Sequence, residues 1–225
     1  MVVERDVEDR MKNIIFIAPP AAGKGTQSEL LVNNYKYNHI STGDLLRNKQ
    51  NDGSKLGNEL KELLKSGKLV DDEIVTNLLK EKLVSIDGPF ILDGYPRNRK
   101  QALELDKIFN ELNINNYVGI YLDVDEDTAL KRALGRITCP KCKRTYNKYN
   151  QETKPLNEGL CDDCNIELIG RSDDNEETFK IRFNEYLNNT KPLLDYYKEK
   201  DLLYVMENKI DPKELFNDIK EVILW

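Results

Sequence analysis

The chain of 225 residues is 39% hydrophobic and 33% charged, with a formal net charge of −6. That acidic balance argues against a general nucleic-acid binder while leaving room for local basic clefts, and no apolar run approaches the roughly 20 residues of a membrane span. The length suits one α/β domain carrying insertions, able to bury a core without disulfides or a partner subunit.

Residues 1–11 read as a mobile leader. They lack the apolar region of a signal peptide, and Glu4, Asp6, Glu8 and Asp9 disfavour an organelle transit peptide. Val2 stands where N-myristoylation needs glycine. The expected location is the cytoplasm.

The first element is an apolar strand, Ile14-Ile15-Phe16-Ile17. It runs into Ala18-Pro19-Pro20-Ala21-Ala22-Gly23-Lys24-Gly25-Thr26-Gln27, and a helical pattern follows from Leu30-Leu31. Strand, small-residue loop and helix build a phosphate cradle, in which loop N–H groups and the helix dipole face the anion. Lys24 adds a mobile point charge. The generic P-loop pattern has glycine at the place of Ala18, and Ser or Thr directly after the lysine, where this chain has Gly25 and then Thr26. A turn that binds nothing leaves a lysine between two glycines without a packing reason.

His39-Ile40-Ser41 is a short, weak strand. His39, the only histidine, has no Cys or Ser partner in the sequence and reads as structural. In Ser41-Thr42-Gly43-Asp44-Leu45-Leu46-Arg47, Ser41 or Thr42 is a helix N-cap and Asp44 suits the first turn. Arg47 on the same helix is either solvated or a fork of donors for a phosphate. Residues 42–70 form short amphipathic helices broken by Gly53, Gly57 and Gly67.

Pro89-Phe90-Ile91-Leu92-Asp93 is a strand buried on both faces. A carboxylate at its end needs a cation or donors, which makes Asp93 a candidate for Mg²⁺, directly or through water. Gly94-Tyr95-Pro96-Arg97 follows, a turn that lets a ligand approach backbone and guanidinium together, or a plain turn. Ala102, Leu105, Phe109 and Leu112 share one helical face, Val118 to Val124 and Leu202 to Val205 are further strands, and Asp211-Pro212 opens a last helix bearing Leu215, Ile219, Val222 and Ile223. This alternation predicts a five-stranded parallel sheet covered by helices on both faces, with ligands outside the carboxyl ends of its strands.

Arg132 and Arg136 lie four apart on the helix entering a second insertion, Arg171 leaves it beside Asp173 and Asp174, and Arg182 lies on the next helix. A solvated face explains any one of them, but less readily four that bracket one insertion. Asp173 and Asp174 are expected to cap the helix and pair with the arginines. All four cysteines lie in Cys139-x-x-Cys142 and Cys161-x-x-Cys164, with 18 residues between the pairs. That is the spacing of a four-cysteine zinc ribbon with no open coordination position, hence a structural metal; an iron site or unligated thiols are the other readings. Lys141, Lys143, Arg144 and Lys148 are read as the ribbon's solvated surface.

The segments Ala18 to Gln27, Ser41 to Arg47, Gly67-Lys68-Leu69-Val70, Leu92 to Arg97 with Gln101, Arg132-x-x-Gly135-Arg136, the four cysteines, and Arg171-Ser172-Asp173-Asp174 through Arg182 together resemble adenylate kinase in its long-lid, zinc-containing form. The resemblance runs from about residue 12 to near the end. It implies a core (12–40, 71–134, 175–225), an AMP-binding insertion (41–70) and a lid (135–174). Gly23, Lys24, Gly25 and Thr26 would hold the ATP phosphates with Arg132 and Arg136. Thr42, Arg47, Val70, Gly94, Arg97, Gln101, Arg171 and Arg182 would hold AMP and the transferred phosphate. Lys24, Arg97, Arg132, Arg171 and Arg182 would be catalytic, Asp93 would organise Mg²⁺, and the cysteines would hold zinc.

The implied reaction is ATP plus AMP giving two ADP, carried out by a monomer with no nucleic-acid or membrane partner. A GTP:AMP phosphotransferase of the same fold is the nearest alternative, and a nucleotide-gated nucleic-acid module the remote one. Ala18 and Ala21 stand where the family usually has glycines, so each methyl threatens the loop if its backbone must be left-handed.

Overall fold

Four consecutive buried residues, Ile14 to Ile17, can only be satisfied by neighbours on both faces and both edges, and they form the middle strand of the protein. The computed structural model describes residues 11–65, 70–171, 174–207, 209 and 211–224. Strand β1 (Asn13–Ile17) leads to helix α1 (Lys24–Tyr35), then β2 (Asn38–Ser41). Helices α2 (Thr42–Lys49), α3 (Lys55–Lys65) and α4 (Asp72–Val84) precede β3 (Phe90–Asp93), α5 (Arg99–Glu111) and β4 (Tyr117–Asp123). Helix α6 (Glu126–Gly135) enters a ribbon of β5 (Arg136–Thr138) and β6 (Thr145–Asn147). The chain returns through α7 (Glu176–Glu185), a π-helix (Tyr186–Thr190), α8 (Leu193–Lys198), β7 (Leu203–Glu207) and α9 (Pro212–Ile223).

The main sheet has the order β2-β3-β1-β4-β7, with all four pairings parallel. The chain runs to one side of β1 first and to the other side later. The crevice at the carboxyl end of β1 is therefore the topological switch point, where open α/β sheets bind their ligands. The fold expected from the alternation of strands and helices is the one observed. The loop after β1 starts at this carboxyl end, and Asp93 ends the neighbouring strand β3.

Helix ends follow local chemistry. Ser41, Asp71, Asn98, Asp125, Asn175 and Asp211 each accept a hydrogen bond from a backbone N–H of the first turn that follows. Such a cap contributes about 1 kcal/mol. Asn175 thus caps α7, a place the sequence reading gives to Asp173 or Asp174; Asp173, like Ser172, lies outside the described residues. Helix α1 has no side-chain cap, because Gly23 (φ 102°) occupies that position.

Two further expectations are corrected. Met11, assigned to the leader, is only 4% exposed and packs in the core; the rest of that leader, residues 1–10, lies outside the described residues. Gly57 does not break a helix but sits inside α3. A Cβ there would lie 2.4 Å from the Lys49 carbonyl oxygen, so glycine serves the close approach of α3 to the end of α2. Gly53, at φ 76°, does make the turn between them. Gly67, Lys68 and Leu69 lie outside the described residues.

Candidate active site

The loop after β1 is built from backbone first. Ala21 (φ 59°) and Gly23 (φ 102°) both take left-handed conformations, which turn the chain tightly before α1. Ala18 is not among the residues with positive φ; it is 8% exposed in the core. The strain expected from departing from glycine is therefore confined to Ala21. Nothing lies within 4 Å of a Cβ built on Gly23 or Gly25, so the loop's mouth is open on that side.

Lys24 folds back over the loop. Its Nζ donates to the carbonyl oxygens of Ala18 (3.3 Å) and Pro19 (3.2 Å). The residue keeps some contact with water, yet its ammonium is packed among protein atoms, and desolvation is the largest influence lowering its pKa from 10.5. Asp93 opposes that shift, while the charges of Arg97, Arg182 and Arg136 add to it. Three of the arginines singled out in the sequence thus act on Lys24, and Lys24 and Arg97 act in turn on Asp93. A lysine whose folded pKa lies below its unfolded value costs stability at neutral pH. That cost fades as pH rises through the lowered value towards 10.5.

Asp93 stays ionised in this setting. Desolvation, the largest influence, works to raise its pKa, but the hydrogen bond from His39 and then the charge of Lys24 outweigh it, and the net shift is downward from 3.8. Its charge accordingly stabilises the fold above about pH 4, a contribution lost as pH falls through the lowered value. His39 Nε2 lies 3.5 Å from Asp93 Oδ2. The sequence alone gave this histidine no partner. It meets Asp93 because β2 and β3 run parallel in a register that sets His39 beside Ile91 and Ser41 beside Asp93.

The turn after β3 holds Arg97 in place. Gly94 (φ 85°) has no room for a side chain, since a Cβ would lie 2.8 Å from Thr42 Oγ1 and 3.2 Å from an Arg97 guanidinium nitrogen. Its carbonyl oxygen accepts from Arg97 Nε (2.8 Å) and from buried Thr42 Oγ1 (3.2 Å). The Tyr95–Pro96 peptide is cis. Gln101, 5% exposed, accepts from the Arg97 N–H through Oε1 (2.7 Å) and donates through Nε2 to Asp72 at the start of α4. Both ends of its amide are thus engaged within the protein.

The remaining candidates lie around this centre. Arg132 donates to the carbonyl oxygens of Ala22 (3.4 Å), in the loop, and Lys209 (3.2 Å). Arg136 makes a two-pronged ion pair with Asp174, Nε to Oδ2 at 2.7 Å and a second contact from Nη2 to Oδ1. With side-chain exposures of 14% and 5%, this pair ties the two ends of the ribbon insertion together. Removing one partner of such a pair typically costs about 3–5 kcal/mol. Arg47 is exposed and pairs with Asp44 (2.6 Å). Arg171 is exposed at the exit of the ribbon, its carbonyl accepting from the Asp174 N–H (3.1 Å). Val70 lines a cavity of about 550 Å³ with Leu56, Leu60, Ile74 and Lys100, between α3, α4 and the start of α5.

The four cysteine sulfurs lie within 4.8 Å of one another, and all four cysteines are free thiols. Tetrahedral metal–thiolate bonds of about 2.3 Å place sulfurs about 3.8 Å apart, so this cluster fits a metal ion with little rearrangement. Each Cys-x-x-Cys turn closes in the same way: the N–H of Lys143 (φ 66°) donates to Cys139 O at 3.0 Å, and that of Asn165 (φ 51°) to Cys161 O at 2.8 Å. Ile137, Tyr146 and Leu168 pack around the buried Cys139 and Cys161 as a small core of their own. Arg144 is more than solvated surface. It pairs with Asp163 (2.9 Å), covers the Tyr146 ring (5.0 Å) and reaches Glu29 on α1 at 3.9 Å.

A family model described as adenylate kinase matches residues 16–202. The chain belongs to the adenylate kinase family. It is 42% identical over 212 residues to an adenylate kinase of Syntrophomonas wolfei, covering 93% of this chain and 97% of that protein. Its identity to one of Thermodesulfovibrio yellowstonii is also 42%, with 93% and 98% covered, and to one of Thermotoga neapolitana 38% over 220 residues, with 96% and 98% covered. The protein is therefore an enzyme of phosphoryl transfer between ATP and AMP. Among the described residues, no helix is long and apolar enough to cross a membrane.

The localised strain gives a prediction. Ala21→Gly should raise the unfolding free energy by about 0.5–1 kcal/mol, as a left-handed residue loses its Cβ. Ala18→Gly should lower it by a similar amount. Denaturant unfolding of the two variants checks this, and the reverse order would contradict the assignment of strain.

Proposed function

We propose that the transferred phosphoryl group sits among Lys24, Arg97, Arg136 and Arg182 at the carboxyl ends of β1 and β3, with ATP on the P-loop side and AMP on the α2 side. The observation that carries this reading is the gathering of Arg97, Arg136 and Arg182 about Lys24, with Asp93 as the opposing charge, a costly arrangement in a free protein. Bound phosphates supply the missing negative charge and turn that cost into affinity.

In this reading the loop N–H groups of Gly23, Gly25 and Thr26, with Lys24, hold the ATP phosphates. Arg132 approaches them from the Ala22 carbonyl. Thr42, Gly94 and Arg97 face AMP, Arg47 and Arg171 close on its phosphate from either side, and Val70 borders its base. Gln101 supports Arg97 from behind. An AMP phosphate oxygen attacks the terminal phosphorus of ATP; a P–O bond forms there as the bond to the bridging oxygen breaks, leaving two ADP. The attacking oxygen is already anionic at neutral pH, so no general base is required. Catalysis is in-line positioning and charge stabilisation. Asp93, ionised and with its side chain 19% exposed, suits Mg²⁺, which would neutralise charge on the ATP phosphates. The cysteine ribbon, holding zinc, closes over the site as one stiff piece and excludes water. A single chain carries this whole set of residues, which suits a monomer.

Arg97→Lys tests the placement of the centre. It keeps the charge but loses the planar fork, and should lower kcat for ADP formation from ATP and AMP by about 100- to 1000-fold with melting little changed. A kcat within about twofold of the parent would remove Arg97 from the reacting centre. The ribbon metal has its own test. Chelation under reducing conditions should lower the melting temperature by several degrees while kcat well below melting persists. Unchanged melting with immediate loss of turnover would show that the metal is not structural.

A further inference from the structure

The π-helix between α7 and α8 has no counterpart in the sequence reading, and it touches the proposed centre. Pro192 has no N–H to continue the helical ladder, and its ring crowds the carbonyl one turn back. The helix opens there into an i+5 turn, closed by the Lys191 N–H on Tyr186 O at 2.8 Å. Tyr186 is anchored at the start of this turn, its hydroxyl donating to buried Tyr121 OH at 3.0 Å, which in turn donates to Asp123 at 2.9 Å. The widened turn carries Thr190 round the axis, so that its hydroxyl donates to the backbone carbonyl of Arg97 at 2.9 Å. Single π turns inside helices frequently occur at functional sites.

The main chain of Arg97 is thereby held at both ends. Its N–H is taken by Gln101 (2.7 Å) from α5, and its carbonyl by Thr190 from the π turn, while Gly94 holds the guanidinium Nε (2.8 Å). The π turn continues directly from α7, which carries Arg182 on its last turn. We infer that Thr190 is a positioning residue for phosphoryl transfer. Through the π turn it fixes Arg97 relative to Arg182, so the arginine of the AMP side and that of the lid side keep their spacing about the reacting phosphate. The inference rests on the role of Arg97 given above.

The test compares Thr190→Val, which keeps the shape but not the hydroxyl, with Thr190→Ser, which restores it. A lost hydrogen bond of this kind should lower kcat by about three- to tenfold. The KM for ATP should stay within about twofold, and Thr190→Ser should return kcat to within about twofold of the parent. Because Thr190 acts through Arg97, adding Thr190→Val to Arg97→Lys should lower kcat by less than about 1.5-fold further. A Thr190→Val enzyme with parental kcat, a failure of serine to rescue, or fully additive losses would each overturn the inference, even with Arg97→Lys severely impaired. An Arg97→Lys enzyme with parental kcat would instead overturn the underlying role of Arg97. Melting measured alongside separates these outcomes from simple loss of fold, since a purely structural Thr190 would shift melting and leave kcat below melting unmoved.

Discussion

Like charges brought together in a half-buried crevice repel one another, and this protein accepts that repulsion at the carboxyl end of its central strand. Lys24 is pushed away from its charged form by desolvation and by three arginines, with Asp93 the opposing influence. Much of the surrounding structure keeps these groups from moving apart. The carbonyls of Ala18 and Pro19 hold the ammonium, His39 stands against Asp93, and Gly94 and Gln101 fix Arg97. Apolar burial supplies the stiffness. The strand beneath the loop, Ile14 to Ile17, is at most 3% exposed and is flanked by β3 and β4. A site arranged in advance for charge that develops during reaction does not have to reorganise when that charge appears.

The ribbon insertion meets this centre at its base. Arg136 and Asp174 close its base, and the Asn147 amide donates to the Arg132 carbonyl at 2.9 Å. Gly135 makes this junction possible, because a Cβ there would lie 2.4 Å from Asn147 Oδ1. Beyond the base, the described residues of the ribbon bury a small core of Ile137, Cys139, Tyr146, Cys161 and Leu168. The proposed metal would add rigidity to so small a core. The pairing of Arg144 with Glu29, at 3.9 Å and more than a third exposed on both sides, is too weak to lock the ribbon onto α1.

What the sequence made legible was local. The phosphate loop, the buried strand ending in Asp93, the paired cysteine knuckles and the Asp211-Pro212 cap each declare themselves within a few residues, because neighbouring atoms decide their conformation. The parts that stayed hidden depend on pairing across long stretches of chain. His39 finds Asp93 only through parallel strand register. Gly57 reads as a helix breaker until the end of α2 is seen packed against it. Thr190 gains its partner through a π turn that a lone proline does not announce. Arg144 looks like one more solvated cation of a ribbon until Asp163, Tyr146 and Glu29 surround it. The two alanines of the loop look alike in sequence, yet only Ala21 takes the left-handed backbone.

The central claim is that the crevice stores cationic repulsion that bound phosphates relieve, and Lys24 reports on it directly. Its Nζ pKa can be followed by NMR of isotope-labelled lysine, in the free enzyme and with ADP bound. The account predicts a value below 10.5 in the free enzyme and a rise once phosphate anions neutralise the surroundings. A value at or above 10.5 in the free enzyme, or one that nucleotide leaves unchanged, would contradict it.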